Sequence, residues 1–148
     1  MKHLTDLFCL RQLVLVAALL TGCAAGAAEP DADFLFNQAQ ALYDMNDYEH
    51  ALTPIKQAVS LAPEESDYHH LLAKCYGKLA ENSNWFKALS LARKTHSSLE
   101  KAVKLDRDNV SALKDLMKYY RQAPGFLGGD KDKADEIERF LADADATS

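Results

Sequence analysis

Residues 35–63 read LFNQAQALYDMNDYEHALTPIKQAVSLAP. Apolar positions recur there every three or four residues, through Leu35, Ala39, Leu42 and Met45 and then from Tyr48 through Ala51, Leu52, Ile55, Ala58, Val59 and Ala62. That spacing is the signature of two amphipathic helices, because side chains three and four apart share one helical face. Asn46-Asp47 separates them as a turn. Pro63, which lacks a backbone N–H, closes the second helix, and Pro54 inside it is expected to bend it.

The same period continues toward the C-terminus. Ser66 is placed to cap a third helix carrying Tyr68, Leu72, Cys75, Tyr76 and Leu79. After Asn82-Ser83-Asn84 comes a long fourth helix with Trp85, Ala88, Leu89, Ala92, Leu99, Ala102 and Val103 on one stripe. Residues 106–109 form the next turn. A fifth helix with Val110, Leu113, Leu116, Met117 and Tyr120 ends before Pro124. A glycine-rich loop, Gly125 to Gly129, precedes a sixth helix capped by Asp130 and bearing Ala134, Ile137, Phe140 and Leu141. No long alternating run suggests a strand. The expected fold is all-α, three stacked antiparallel helix pairs over residues 34–145, with one core shared between pairs because no pair can bury its apolar face alone.

Toward the N-terminus the pattern changes. Lys2 and Arg11 precede the uninterrupted apolar run Leu13 to Leu20, which is too short to span a bilayer as a helix. Small residues then lead to a cysteine, the order of a secretory signal. Leu20-Thr21-Gly22-Cys23 resembles the lipobox of bacterial lipoproteins. The resemblance implies a signal peptide over 1–22, acyl chains such as palmitate on Cys23, and a lipid anchor on a membrane of the cell envelope. Ala24, where an Asp would retain the protein at the inner membrane, implies the outer membrane facing the periplasm in a Gram-negative host. Residues 23–33 are small and polar and read as a tether. Loss of Lys2, Arg11 and Asp6 moves the net charge from −5 to about −6, which argues against nucleic-acid partners. With Cys9 in the signal and Cys23 acylated, Cys75 has no disulfide partner and reads as a buried structural thiol.

The helix pairs themselves resemble the tetratricopeptide repeat (TPR). Leu35-x2-Gln38-Ala39-x2-Leu42, the turn Asn46-Asp47-Tyr48-Glu49-His50-Ala51, and Ile55, Ala58 and Pro63 carry the match in the first pair. His69-x2-Leu72-Ala73-x2-Tyr76 opens the second pair, whose other helix holds an insertion of about ten residues against a 34-residue unit before Leu99 to Asp106 restores the pattern. Leu113-x2-Leu116-Met117-x2-Tyr120 opens the third, and Tyr-Tyr-x-x-Ala-Pro-Gly-x-x-Gly-Gly followed by Lys-Ala is similar to a divergent TPR subgroup. The likeness covers about residues 33–142.

In TPR folds the first helix of each pair lines a concave surface. That implies a partner-binding groove in which His70, Lys74 and Lys78 on one helix neighbour Lys114, Lys118 and Arg121 on the next, with Phe36, Gln40 and Tyr43 contributing an aromatic and polar end. Such a surface suits an acidic peptide or a free carboxylate on an envelope protein. Other motifs lead elsewhere. The glycines at 125, 128 and 129 follow a helix, not a strand, and lack the Gly-Lys-Ser/Thr of a phosphate loop. His69-His70 point about 100° apart and do not converge on a metal. No catalytic set, metal site or cofactor is expected. The function expected is a non-enzymatic adaptor or scaffold; the alternative is a small-ligand-binding accessory subunit of a transporter.

Overall fold

A computed structural model describes residues 31–146. The segment read as a signal peptide, Cys23 and most of the tether lie outside the described residues. Six α-helices follow one another: α1 (Ala32–Asp44), α2 (Tyr48–Leu61), α3 (Ser66–Glu81), α4 (Trp85–Leu105), α5 (Val110–Gln122) and α6 (Lys131–Ala146), with a 3-10 turn at Gly125–Leu127. The described residues form no strand. Each helix packs on its successor, and α3 packs most extensively on α4. The described residues are therefore all-α, built of three antiparallel pairs.

Short side chains fix most of the helix starts. Asp31, Asp47, Asn84 and Asn109 each accept a hydrogen bond from the backbone N–H three residues on, and each such cap contributes about 1 kcal/mol. Asp130 does the same for α6, accepting from the Asp132 and Lys133 amides. Asp31 caps a helix that begins at Ala32, so Ala32 and Asp33 are helical and not tether. Asn46 turns the chain between α1 and α2 with φ 62°, a left-handed conformation that Asn tolerates better than most residues. Pro54 sits buried within α2, which runs unbroken through it.

Ser66 does not cap α3. It lies inside the helix, buried, where its hydroxyl donates to the Ala102 carbonyl at 3.0 Å and accepts from the Asn109 side-chain amide at 3.0 Å. The same Asn109 amide donates to Asp67 at 2.8 Å while its carbonyl caps α5. One asparagine thereby ties the start of α3, the end of α4 and the start of α5.

The core divides in two. One cluster gathers Leu35, Ala39, Ala51, Ile55, Ala58, Leu72, Cys75 and Tyr76 with Leu91, from α1 to α4. The other joins Ala73, Leu99, Leu116, Tyr120 and Ala134, from α3 to α6. Helices α3 and α4 contribute to both. Four residues expected inside are outside: Met45, Trp85 and Val110, each at a helix end, and Phe140 within α6 are exposed. The glycine loop folds back on α4. The Tyr119 hydroxyl shares its one proton between the carbonyls of Ala92 (3.0 Å) and Leu127 (2.8 Å), and the His96 ring stacks on Tyr119 at 5.0 Å. Gly128, with φ 91°, abuts the His96 ring, and Gly129 lies so close to the Ala123 carbonyl that no side chain fits.

Candidate functional site

A cleft of about 320 Å³ opens between the first helices of the three pairs. Tyr43 of α1, Lys74, Gly77, Lys78 and Glu81 of α3, and Asp115, Lys118, Tyr119 and Gln122 of α5 line it, over Thr95 and Leu99 of α4. Helical spacing explains the convergence. Lys74 and Lys78 are one turn apart on α3, and Lys118 occupies the facing stripe of α5.

Four of the residues expected in a groove thus meet: Tyr43, Lys74, Lys78 and Lys118. The Lys74 ammonium lies 4.4 Å from the centre of the Tyr43 ring, an attractive placement for a cation over a π face. Lys78 pairs with Glu81 at 3.0 Å. Lys114 and Arg121 line a second cleft with Asp115, Lys118 and Gln122, closed on its far side by Glu138 and Leu141 of α6. Arg121 is committed there, its guanidinium donating to Glu138 at 2.7 Å and Asp135 at 3.2 Å. His70 is likewise committed. Its side chain is only 12% exposed, and Nε2–H donates to Asp115 at 2.7 Å, joining α3 to α5. Phe36 stacks on Tyr68 at 4.9 Å and Gln40 donates to Asp44 at 2.8 Å, so both serve packing at the start of the stack and neither lines the cleft.

Asp115 is the residue that sequence reasoning missed. It puts a carboxylate between Lys74 and Lys118. The hydrogen bond from His70 lowers its pKa; partial burial opposes that, and the charges of His70, Lys74 and Lys118 lower it further. Nothing in its spacing marks it, since it follows Lys114 directly and only the pairing of α3 with α5 brings His70 to it. The result is asymmetric. Both carboxylates of the cleft, Glu81 and Asp115, have partners, whereas Lys74 and Lys118 form no ion pair with any described residue.

Elsewhere, Cys75 is fully buried, and desolvation pushes its thiol up to about 11, which leaves almost no thiolate at neutral pH. Among the described residues no cluster of three His, Cys, Asp or Glu gathers, and no helix is long and apolar enough to cross a membrane.

Residues 13–111, about two thirds of the chain, match the family model of the ChAPs (Chs5p-Arf1p-binding proteins). The matched stretch includes the whole of the first two helix pairs. No curated protein matches the chain.

Proposed function

The chain belongs to the ChAPs family, and on that premise we propose that it is a non-catalytic adaptor that holds a protein partner at a membrane surface. Proteins of that family carry the name Chs5p-Arf1p-binding, and protein recognition is the part of that name extended to this chain. The three pairs act as divergent TPR-like units. Their first helices form the recognition face, and the occupant is a partner segment carrying an acidic side chain or free carboxylate. The observation that carries this reading is the cleft in which Lys74 and Lys118 make no direct ion pair, while Glu81 is held by Lys78 and Asp115, lying between the two lysines, is held by His70. Two ammonium groups beside Tyr43, Thr95 and Gln122 offer charge-assisted hydrogen bonds to one anionic group. The burial of the Cys75 thiol, which raises its pKa, supports a binding role over a nucleophilic one.

The membrane is reached through acyl chains on Cys23 after removal of residues 1–22, and the location is the bacterial envelope, on the periplasmic side of the outer membrane. Several acyl chains hold a protein stably, and confinement to a surface raises the effective concentration for a weak peptide contact.

Photocrosslinkers at positions 74 and 118, with position 101 on α4 as the outward control, test the groove in cells. A discrete adduct from the two groove sites alone is expected, and K74E/K118E should abolish capture with helicity unchanged. Equal smears from all three positions would sink the groove reading. A second reading, binding of a small anionic metabolite, is favoured by the size of the cleft; native mass spectrometry of the purified protein separates it from peptide capture.

A further inference from the structure

Three aromatic side chains stand in solvent on the first turn of α4 and on the 3-10 turn that packs against that helix: Trp85 at 65%, Phe86 at 83% and Phe126 at 65% exposure. Burial of such rings normally stabilises a fold, so rings left outside mark a surface that meets something else.

Helical geometry explains how the edge arises. Trp85, Leu89, Ala92 and His96 fall on one stripe of α4 by their three- and four-residue spacing. The lower half of that stripe is covered. Tyr119 bonds the Ala92 and Leu127 carbonyls together, and Gly128 abuts the His96 ring. Nearer the N-terminus of α4 the cover thins: Leu89 is half-buried and Trp85 is exposed. The 3-10 turn that closes the lower half is also the segment that presents Phe126.

Charge sets this edge apart from the rest of the chain. Residues 82–99 contain Lys87, Arg93 and Lys94 and no carboxylate, and residues 122–129 contain no charged residue, in a protein of net charge −5. Arg93 recurs seven residues after Phe86 and shares its stripe. Lys87 and Lys94 share another stripe, with Lys94 resting over the Tyr76 ring at 5.5 Å.

We propose that the N-terminal half of α4 and the 3-10 turn together dock onto the surface of an anionic phospholipid bilayer, with Trp85, Phe86 and Phe126 entering the headgroup region. Rings that project from a surface, and do not line the clefts described above, suit a deformable interface. Indole and phenyl rings settle at headgroup depth, while neighbouring Lys and Arg side chains are drawn to lipid phosphates. The contact does not depend on acylation of Cys23: an anchor would bring the chain to a membrane, and this edge would fix which side faces it.

Trp85 is the sole tryptophan of the chain and reports on the contact directly. The full-length protein is bound to vesicles of phosphatidylglycerol with phosphatidylethanolamine, and separately to phosphatidylcholine vesicles. On the anionic vesicles Trp85 emission should shift to the blue, lipids brominated near the headgroup should quench it, and iodide quenching should fall several-fold. The triple variant K87E/R93E/K94E, checked for helicity by circular dichroism, should lower the lipid-quenched fraction by roughly tenfold or more. If the protein co-floats with anionic vesicles while Trp85 stays in water, an anchor alone is acting and the proposal fails. It also fails if Trp85 is shielded only on addition of a protein extract without lipid, which would make the edge a protein-binding surface, or if the protein binds no anionic vesicle. The recognition cleft is unchanged in the triple variant, so loss of partner capture and loss of lipid contact are separable.

Discussion

Asp115 links the cleft to acid stability. Its carboxyl is held below the ordinary carboxylate value, so its stabilising effect is complete above about pH 4 and is lost as pH falls through its folded-state value. Melting temperatures of the wild type and Asp115→Asn should differ at pH 7, and the gap should narrow as pH falls below about 4. A gap that does not narrow at all on acidification would show that the His70 contact does not depend on the carboxylate charge. The amino-acid sequence reveals the basic ladders of the two facing helices but not this neutralising partner. A ladder is a property of one helix, whereas the contact between His70 and Asp115 exists only once two helices have a fixed register. For the same reason Arg121 reads as a groove residue until α6 is seen to hold it through Asp135 and Glu138.

At the scale of the element, Asn109 carries more than a cap. Asn109→Ala removes the α5 cap, the bond to Asp67 and a partner of buried Ser66, and should destabilise the protein by about 2–3 kcal/mol by chemical denaturation. A loss near 0.5 kcal/mol would show that water replaces the three contacts. Helix number, order and ends were largely legible, because period, Asn and Asp caps and the prolines act locally. The function of Ser66 was not, since a serine before an apolar run has the same appearance whether it caps its own helix or bridges to a distant one. Nor was the exposure of Trp85, which depends on how far the glycine loop reaches along α4.

In the whole molecule the two clusters share α3 and α4, but the C-terminal pair rests on the smaller one. Hydrogen exchange should therefore show α5 and α6 opening at lower free energy than α1 to α4. Leu99→Ala, which removes a buried side chain of that smaller cluster at a cost of about 2–5 kcal/mol, should speed exchange in α5 and α6 first. Uniform acceleration along the chain would instead mark a single cooperative unit. At the opposite end, α1 is braced where the chain enters it. Tyr68 of α3 donates its hydroxyl to Asp33 and stacks its ring on Phe36, one turn inside the Asp31 cap. Any tension delivered along the N-terminal segment meets α1 at this rivet. The hydrogen bond and the ring stack must yield there before the load reaches the broader packing of α1 on α2, so this tie shields the first helix pair from a pull on the N-terminal segment.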